Sequence, residues 1–147
     1  MDEVLKFLKE NPTYFLATAE GDQPRVRPFG TIARFEGKLY IQTGHVKPVY
    51  QQMIANPKIE ICAFCPSSGT WLRVTATAVR DDRREARAAV LAEYPSLQDR
   101  YSPDDGNCEV FYLKDAAASI LRASLSAEIP PRSFFPLLPR SVQGFSV

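Results

Sequence analysis

Arg25 and Arg27 stand two apart in the run QPRVRPF, and if that run is a strand, both guanidiniums project from one face. A strand in a small domain needs a reason to carry two cations side by side. One reason is a dianionic ligand, since the planar guanidinium donates two parallel N–H bonds to a phosphate or carboxylate edge. Farther on, TGHVK brings Thr43, Gly44 and Lys47 to what reads as the mouth of a helix, where free backbone N–H groups also favour an anion. The chemistry these types share is the grip on a terminal phosphate. Arg25 is open to two readings, a ligand or a solvated strand face.

The elements that must position these residues follow from the hydrophobic pattern. MDEVLKFLKE opens a helix with Val4, Leu5 and Leu8 on one face, stopped by Asn11-Pro12. Strands are expected over 14–18, 24–35 and 38–43, joined by turns at Glu20-Gly21-Asp22 and Glu36-Gly37. A helix over 46–55 follows, with Lys47 and Pro48 in its first turn, where a proline loses nothing by lacking an N–H. Two further strands are expected over 58–64 and 71–80, then a helix opening at Asp81-Asp82 and closed by Pro95, with one more turn over 96–101. A sixth strand spans 108–114. Six strands with short hairpins and helices at the ends describe a small, mostly β, antiparallel barrel.

Composition removes several classes. The 147 residues suit one domain, and 18 basic against 17 acidic residues give a net charge of +1, too little to draw in nucleic acid. No apolar run reaches the length of a membrane span. Three cysteines without an export signal argue for a reducing, cytoplasmic setting. Cys62 and Cys65 lack the further ligands a metal needs, with one histidine in the chain, and are expected as buried small hydrophobes. That histidine, His45, is either an inert loop residue or a proton donor beside the phosphate loop. From Ala116 to the end the chain turns proline-rich while still carrying Phe134, Phe135, Leu137 and Leu138. The expected division is therefore a domain over 1–115 and a tail over 116–147, either without fixed structure of its own or laid over a partner subunit.

As an ordered set, QPRVRPF, GKLYIQTGHVKPVYQQM, NPKIEICAF and TWLRVTATAVRDD resemble the pyridoxamine 5′-phosphate oxidase-like family of FMN-binding split barrels, over residues 1–114. The resemblance implies a split β-barrel, a homodimer, and FMN at the subunit boundary. By position, Arg27 matches the arginine that grips the phosphate, Pro28 and Phe29 follow along the isoalloxazine edge, and Thr43 and Lys47 complete the phosphate site. Trp71 and Arg73 match residues that reach the flavin from the fifth strand, often from the other subunit. The residues with which the true oxidase holds pyridoxal phosphate have no match here, so the vitamin substrate does not carry over. The chain also departs from the family after the last strand, where Ala116-Ala117-Ala118-Ser119 leads into the proline-rich tail. The function expected is a flavoprotein passing hydride or electrons between NAD(P)H and a small acceptor. The alternative is a module that carries FMN or haem without turnover.

Overall fold

The computed structural model describes residues 1–122 and the backbone of 132–133. The elements in chain order are α1 (Asp2–Glu10), β1 (Tyr14–Glu20), β2 (Gln23–Phe29), β3 (Ala33–Phe35), β4 (Lys38–Gly44), α2 (Pro48–Ala55), β5 (Lys58–Cys65), β6 (Thr70–Asp81), α3 (Arg84–Ala92), a 3₁₀ turn (Pro95–Leu97), β7 (Cys108–Arg122) and the short β8 (Arg132–Ser133). All strand pairs are antiparallel, in the order β2-β1-β5-β6-β7-β4-β3, with β8 on the outer half of β7. The end strands β2 and β3 are consecutive in the chain yet do not pair with each other. That gap is what makes the barrel split.

The segment expected as one strand over 24–35 is two, because the chain changes partner there: β2 pairs with β1, and β3 with β4. The crossing is pinned by side chains. Tyr14 Oη donates to Thr31 O at 2.6 Å, and Thr31 Oγ1 accepts from Gln42 N at 3.0 Å. The sixth expected strand is also longer. It runs on to Arg122, so residues 116–122 of the expected tail belong to the sheet, and β6 gains a partner along its first half. A bulge lets β7 keep register: Thr77 pairs with Lys114 and Thr75 with Ala117, with Asp115 at φ 52° in between. The rest of the tail, including Phe134, Phe135, Leu137 and Leu138, lies outside the described residues. The expected helix start at Asp81-Asp82 is corrected too. Asp81 ends β6, and its Oδ1 accepts Arg83 N at 3.1 Å, turning the chain into α3.

Two cores result. Leu16, Ile41, Ile61, Leu72, Val74 and Phe111 fill the barrel interior at 0% exposure. Onto it α1 lays Val4 and Leu8, each contributing roughly 1.5–3 kcal/mol by burial, while α2 adds Val49 and Met53. The smaller core packs Ala86 and Val90 of α3 against Ala33, Tyr40 and Val110. Period-two alternation decides which side each strand residue faces: in β5, Ile59, Ile61 and Ala63 are buried while Cys62 and Phe64 face outward. Cys62 is thus exposed and Cys65 only half-buried, which corrects the expectation of two buried thiols.

Candidate anion and cofactor site

Arg25, Arg27 and Phe29 sit directly across from Thr18, Leu16 and Tyr14, which places the arginine pair on the inner face of β2, as their spacing requires. Helix α2 crosses this face and presents the buried Gln52. Nη1 of Arg27 donates to Leu16 O at 2.9 Å and to Thr18 Oγ1 at 2.8 Å, and Nη2 donates to Gln52 Oε1 at 2.6 Å. Thr18 Oγ1 in turn donates to the same Gln52 oxygen at 2.7 Å. Because the Thr18 and Gln52 oxygens touch, they occupy the Nη1–Nη2 end of the guanidinium. A guanidinium carries five N–H bonds; among the described residues the two left over are those on Nε and on the outer side of Nη2. Those two are parallel and make the fork that fits a phosphate edge. Burial, then the neighbouring Arg25 charge, lowers the Arg27 pKa from its ordinary value, yet an arginine stays charged. Arg25 is differently placed. It is exposed and bound to Glu20, with Nε 2.8 Å and Nη2 2.7 Å from Oε2.

A cavity of about 300 Å³ opens where the end of β2, the N-terminus of α2 and the 95–101 turn meet. Pro28, Phe29 and Lys47 of the expected set line it, together with Gln42, Arg100 and Tyr101, and no carboxylate does. Lys47 is the N-cap residue of α2, and among the described residues its ammonium enters no ion pair; it lies 5.9 Å from the Tyr101 ring centroid. Tyr94 fixes one wall, its Oη donating to Ile32 O at 2.8 Å and accepting from Ile32 N at 2.7 Å. A second hollow, beside Gln52, is lined by Glu20 and by no cation, which suits an anion poorly.

Arg25, Arg27, Thr43 and Gly44 do not line the cavity. Thr43 lies across from Glu109, and its hydroxyl is the buried side-chain polar atom without a hydrogen-bond partner among the described residues. Gly44 is there for space: a Cβ would meet Tyr101 Oη at 3.0 Å and Asn107 Oδ1 at 3.2 Å. His45 stacks on Tyr50, centroids 4.4 Å apart, with Nδ1 3.3 Å from Glu109 Oε1. Glu109 is buried and also bound by Arg80 at 2.7 and 3.0 Å. Trp71 and Arg73 lie away from the cavity, on the outer face of β6, where Arg73 is bound to Glu60.

Sequence reasoning did not single out Thr18, Gln52, Arg100 or Tyr101. Gln52 had a signal: it falls between Val49 and Met53 on the apolar side of α2, where a polar residue needs a partner. Arg100 had none, because only the fold brings the 95–101 turn against β2.

A family profile described as pyridoxamine 5′-phosphate oxidase matches residues 1–116. No curated protein matches the chain. Among solved structures, a NimC/NimA family protein from Clostridium acetobutylicum is similar, with 42% identity, 91% of each chain covered and a TM-score of 0.82. A pyridoxamine 5′-phosphate oxidase-related, FMN-binding protein from Nostoc punctiforme is 17% identical, with 92% of this chain and 96% of that one covered and a TM-score of 0.62. An F420 reductase is 19% identical, with 78% and 94% covered and a TM-score of 0.58. These last two share the fold. With the profile spanning the whole barrel from α1 into β7, the chain belongs to the pyridoxamine 5′-phosphate oxidase family.

Proposed function

We propose that this protein binds FMN noncovalently and uses it to pass hydride or electrons from reduced nicotinamide to a small acceptor. The observation that carries the reading is the unspent N–H fork of Arg27, held in place by Thr18 and Gln52 on the helix that Lys47 caps. Arg27 would take the phosphate edge and Lys47 add a second charge, while Pro28 and Phe29 offer the ring an apolar edge. When bound, FMN supplies the redox chemistry itself; the residues here orient it and exclude water.

A homodimer belongs to the same reading. The outer sheet face carries Phe15, Val26 and Phe64 at 49%, 68% and 53% exposure. The strand register joins them across the sheet, Pro28 to Phe15, Phe15 to Cys62, Cys62 to Arg73, and Phe64 to Trp71. Apolar surface of this kind is costly to leave in water. A second copy packed there would cover it and bring Trp71 and Arg73 toward the other protomer's cofactor. The setting proposed is the cytoplasm; among the described residues no helix is long and apolar enough to cross a membrane.

The test is an absorption spectrum of the purified protein, then addition of NADPH. Yellow protein bleached by NADPH supports the reading. Colourless protein that takes up no added FMN overturns it, and FMN uptake without reduction across a panel of acceptors favours the carrier alternative.

A further inference from the structure

Gln52 uses only one end of its side chain in holding Arg27. Arg27 can only donate, so the end that meets it, and that also accepts the Thr18 hydroxyl, is the oxygen Oε1. The nitrogen, Nε2, points the other way and makes no hydrogen bond among the described residues, yet it is not sealed off from the surface. Gln52 is only 7% exposed, and it lines the second hollow, a cleft of about 520 Å³ between the β1–β2 turn and the C-terminal half of α2. Its unpartnered N–H groups open there. Glu20 lines the same hollow. Arg25 places both its Nε and its Nη2 on Glu20 Oε2, at 2.8 and 2.7 Å, which leaves Oε1 unbonded among the described residues. The two side chains are neighbours: after the hydrogen bond and charge of Arg25, the Gln52 amide also helps hold the Glu20 carboxyl below its ordinary pKa. Ala19, Gly21 and Ala55 supply small walls. Asn56 closes the end, its N donating to Gln52 O at 2.8 Å and its Oδ1 accepting from Lys58 N at 3.1 Å.

We infer that this hollow is a binding site for a small neutral molecule with an amide edge, whose C=O accepts from Gln52 Nε2 and whose N–H donates to Glu20. One donor beside one acceptor, with small walls and no cation, fits that edge. The class covers a carboxamide and the imide edge of a pyrimidine ring. An acid of the same shape is refused, because its carboxylate would face that of Glu20. The site goes beyond the flavin reading and does not need it, since none of these residues lines the cavity at Lys47.

The experiment titrates nicotinamide, its acid isostere nicotinate, and uracil as the pyrimidine arm into the FMN-loaded full chain, followed by calorimetry and by the side-chain amide signals in a proton–nitrogen NMR spectrum. Nicotinamide is expected to bind at least about tenfold more tightly than nicotinate and to shift the Gln52 signals, identified as the pair missing from Gln52→Glu. That variant keeps an oxygen for Thr18 and Arg27 but replaces the donor in the hollow, so its affinity for nicotinamide should fall at least about tenfold. Glu20→Gln removes the charge that refuses the acid, and the preference for nicotinamide should shrink to within about threefold. Ala55→Leu fills the hollow without touching the Arg27 bonds; it should abolish binding of the probes while FMN affinity stays within about twofold of wild type. If uracil moves the Gln52 signals as nicotinamide does, the edge alone is recognised; if one of the two does so, the class narrows to carboxamides or to pyrimidines. The site is overturned if neither moves those signals, if nicotinate binds as tightly as nicotinamide, or if Ala55→Leu binds the probes unchanged. Should wild type take up no FMN, the flavin reading fails separately, and the same titrations on the cofactor-free chain decide the hollow.

Discussion

Arg27 offers the sharpest test, because the structure says which of its bonds belong to the fold and which remain for a ligand. Arg27→Ala removes three internal bonds, but Thr18 and Gln52 keep the bond between themselves. Stability should therefore fall by roughly 2–3 kcal/mol, three hydrogen bonds at about 1 kcal/mol each taken below full additivity. The ligand loses more. Two charge-assisted bonds at about 1.5–3 kcal/mol each, taken below full additivity, come to roughly 3–4 kcal/mol, or about 10²–10³-fold in the Kd for FMN. Arg27→Lys keeps the charge but can neither span Thr18 and Gln52 nor present the fork, so it should still lose at least about tenfold. The measurement is flavin fluorescence titrated with each variant, with thermal unfolding of the cofactor-free proteins as a control for folding. A folded Arg27→Ala that binds FMN within about twofold of wild type, or an Arg27→Lys indistinguishable from it, refutes the reasoning.

Gly44→Ala places a Cβ 3.0 Å from Tyr101 Oη and should cost about 1 kcal/mol by overpacking; Tyr101→Phe, which removes that oxygen, should recover the loss in Tm. The hydrogen bonds from Arg83 hold the Asp81 carboxyl down at about 2. A depressed acid adds stability above its unfolded pKa of about 3.9 and loses it as pH falls through the folded value, here roughly 1 kcal/mol after allowing for the half-exposed partner. Urea unfolding between pH 5 and 2 should show that slope, and Asp81→Asn should flatten it. Phe64→Glu puts a charge on the exposed apolar face and should shift the protein toward monomer in sedimentation, with weaker FMN uptake; an unchanged dimer removes that face as the interface.

The local pattern carried much of this fold because period-two alternation and turn residues act over a few positions. Ile59, Ile61 and Ala63 against Cys62 and Phe64 declare a strand and its buried side without reference to anything distant. The spacing of Arg25 and Arg27 likewise put both on one face. What local pattern could not say was where a strand ends when its partner decides it. β7 continues through Ala116-Ala117-Ala118, residues with little strand preference of their own, because β6 offers an unpaired edge there. The break at 30–32 likewise came from a change of partner and not from a turn residue.

For the site, residue type and spacing determined that Arg27 and Lys47 were candidates for a phosphate. Only the tertiary structure decided which of the cations are free. Arg25 and Arg73 look as available in the sequence as Arg27, yet each is tied to a carboxylate, Glu20 and Glu60. Arg100, unremarkable in the sequence, lines the cavity. Charge is a property of the residue, but its availability depends on what stands beside it in space, and those neighbours come from strands and turns far apart along the chain.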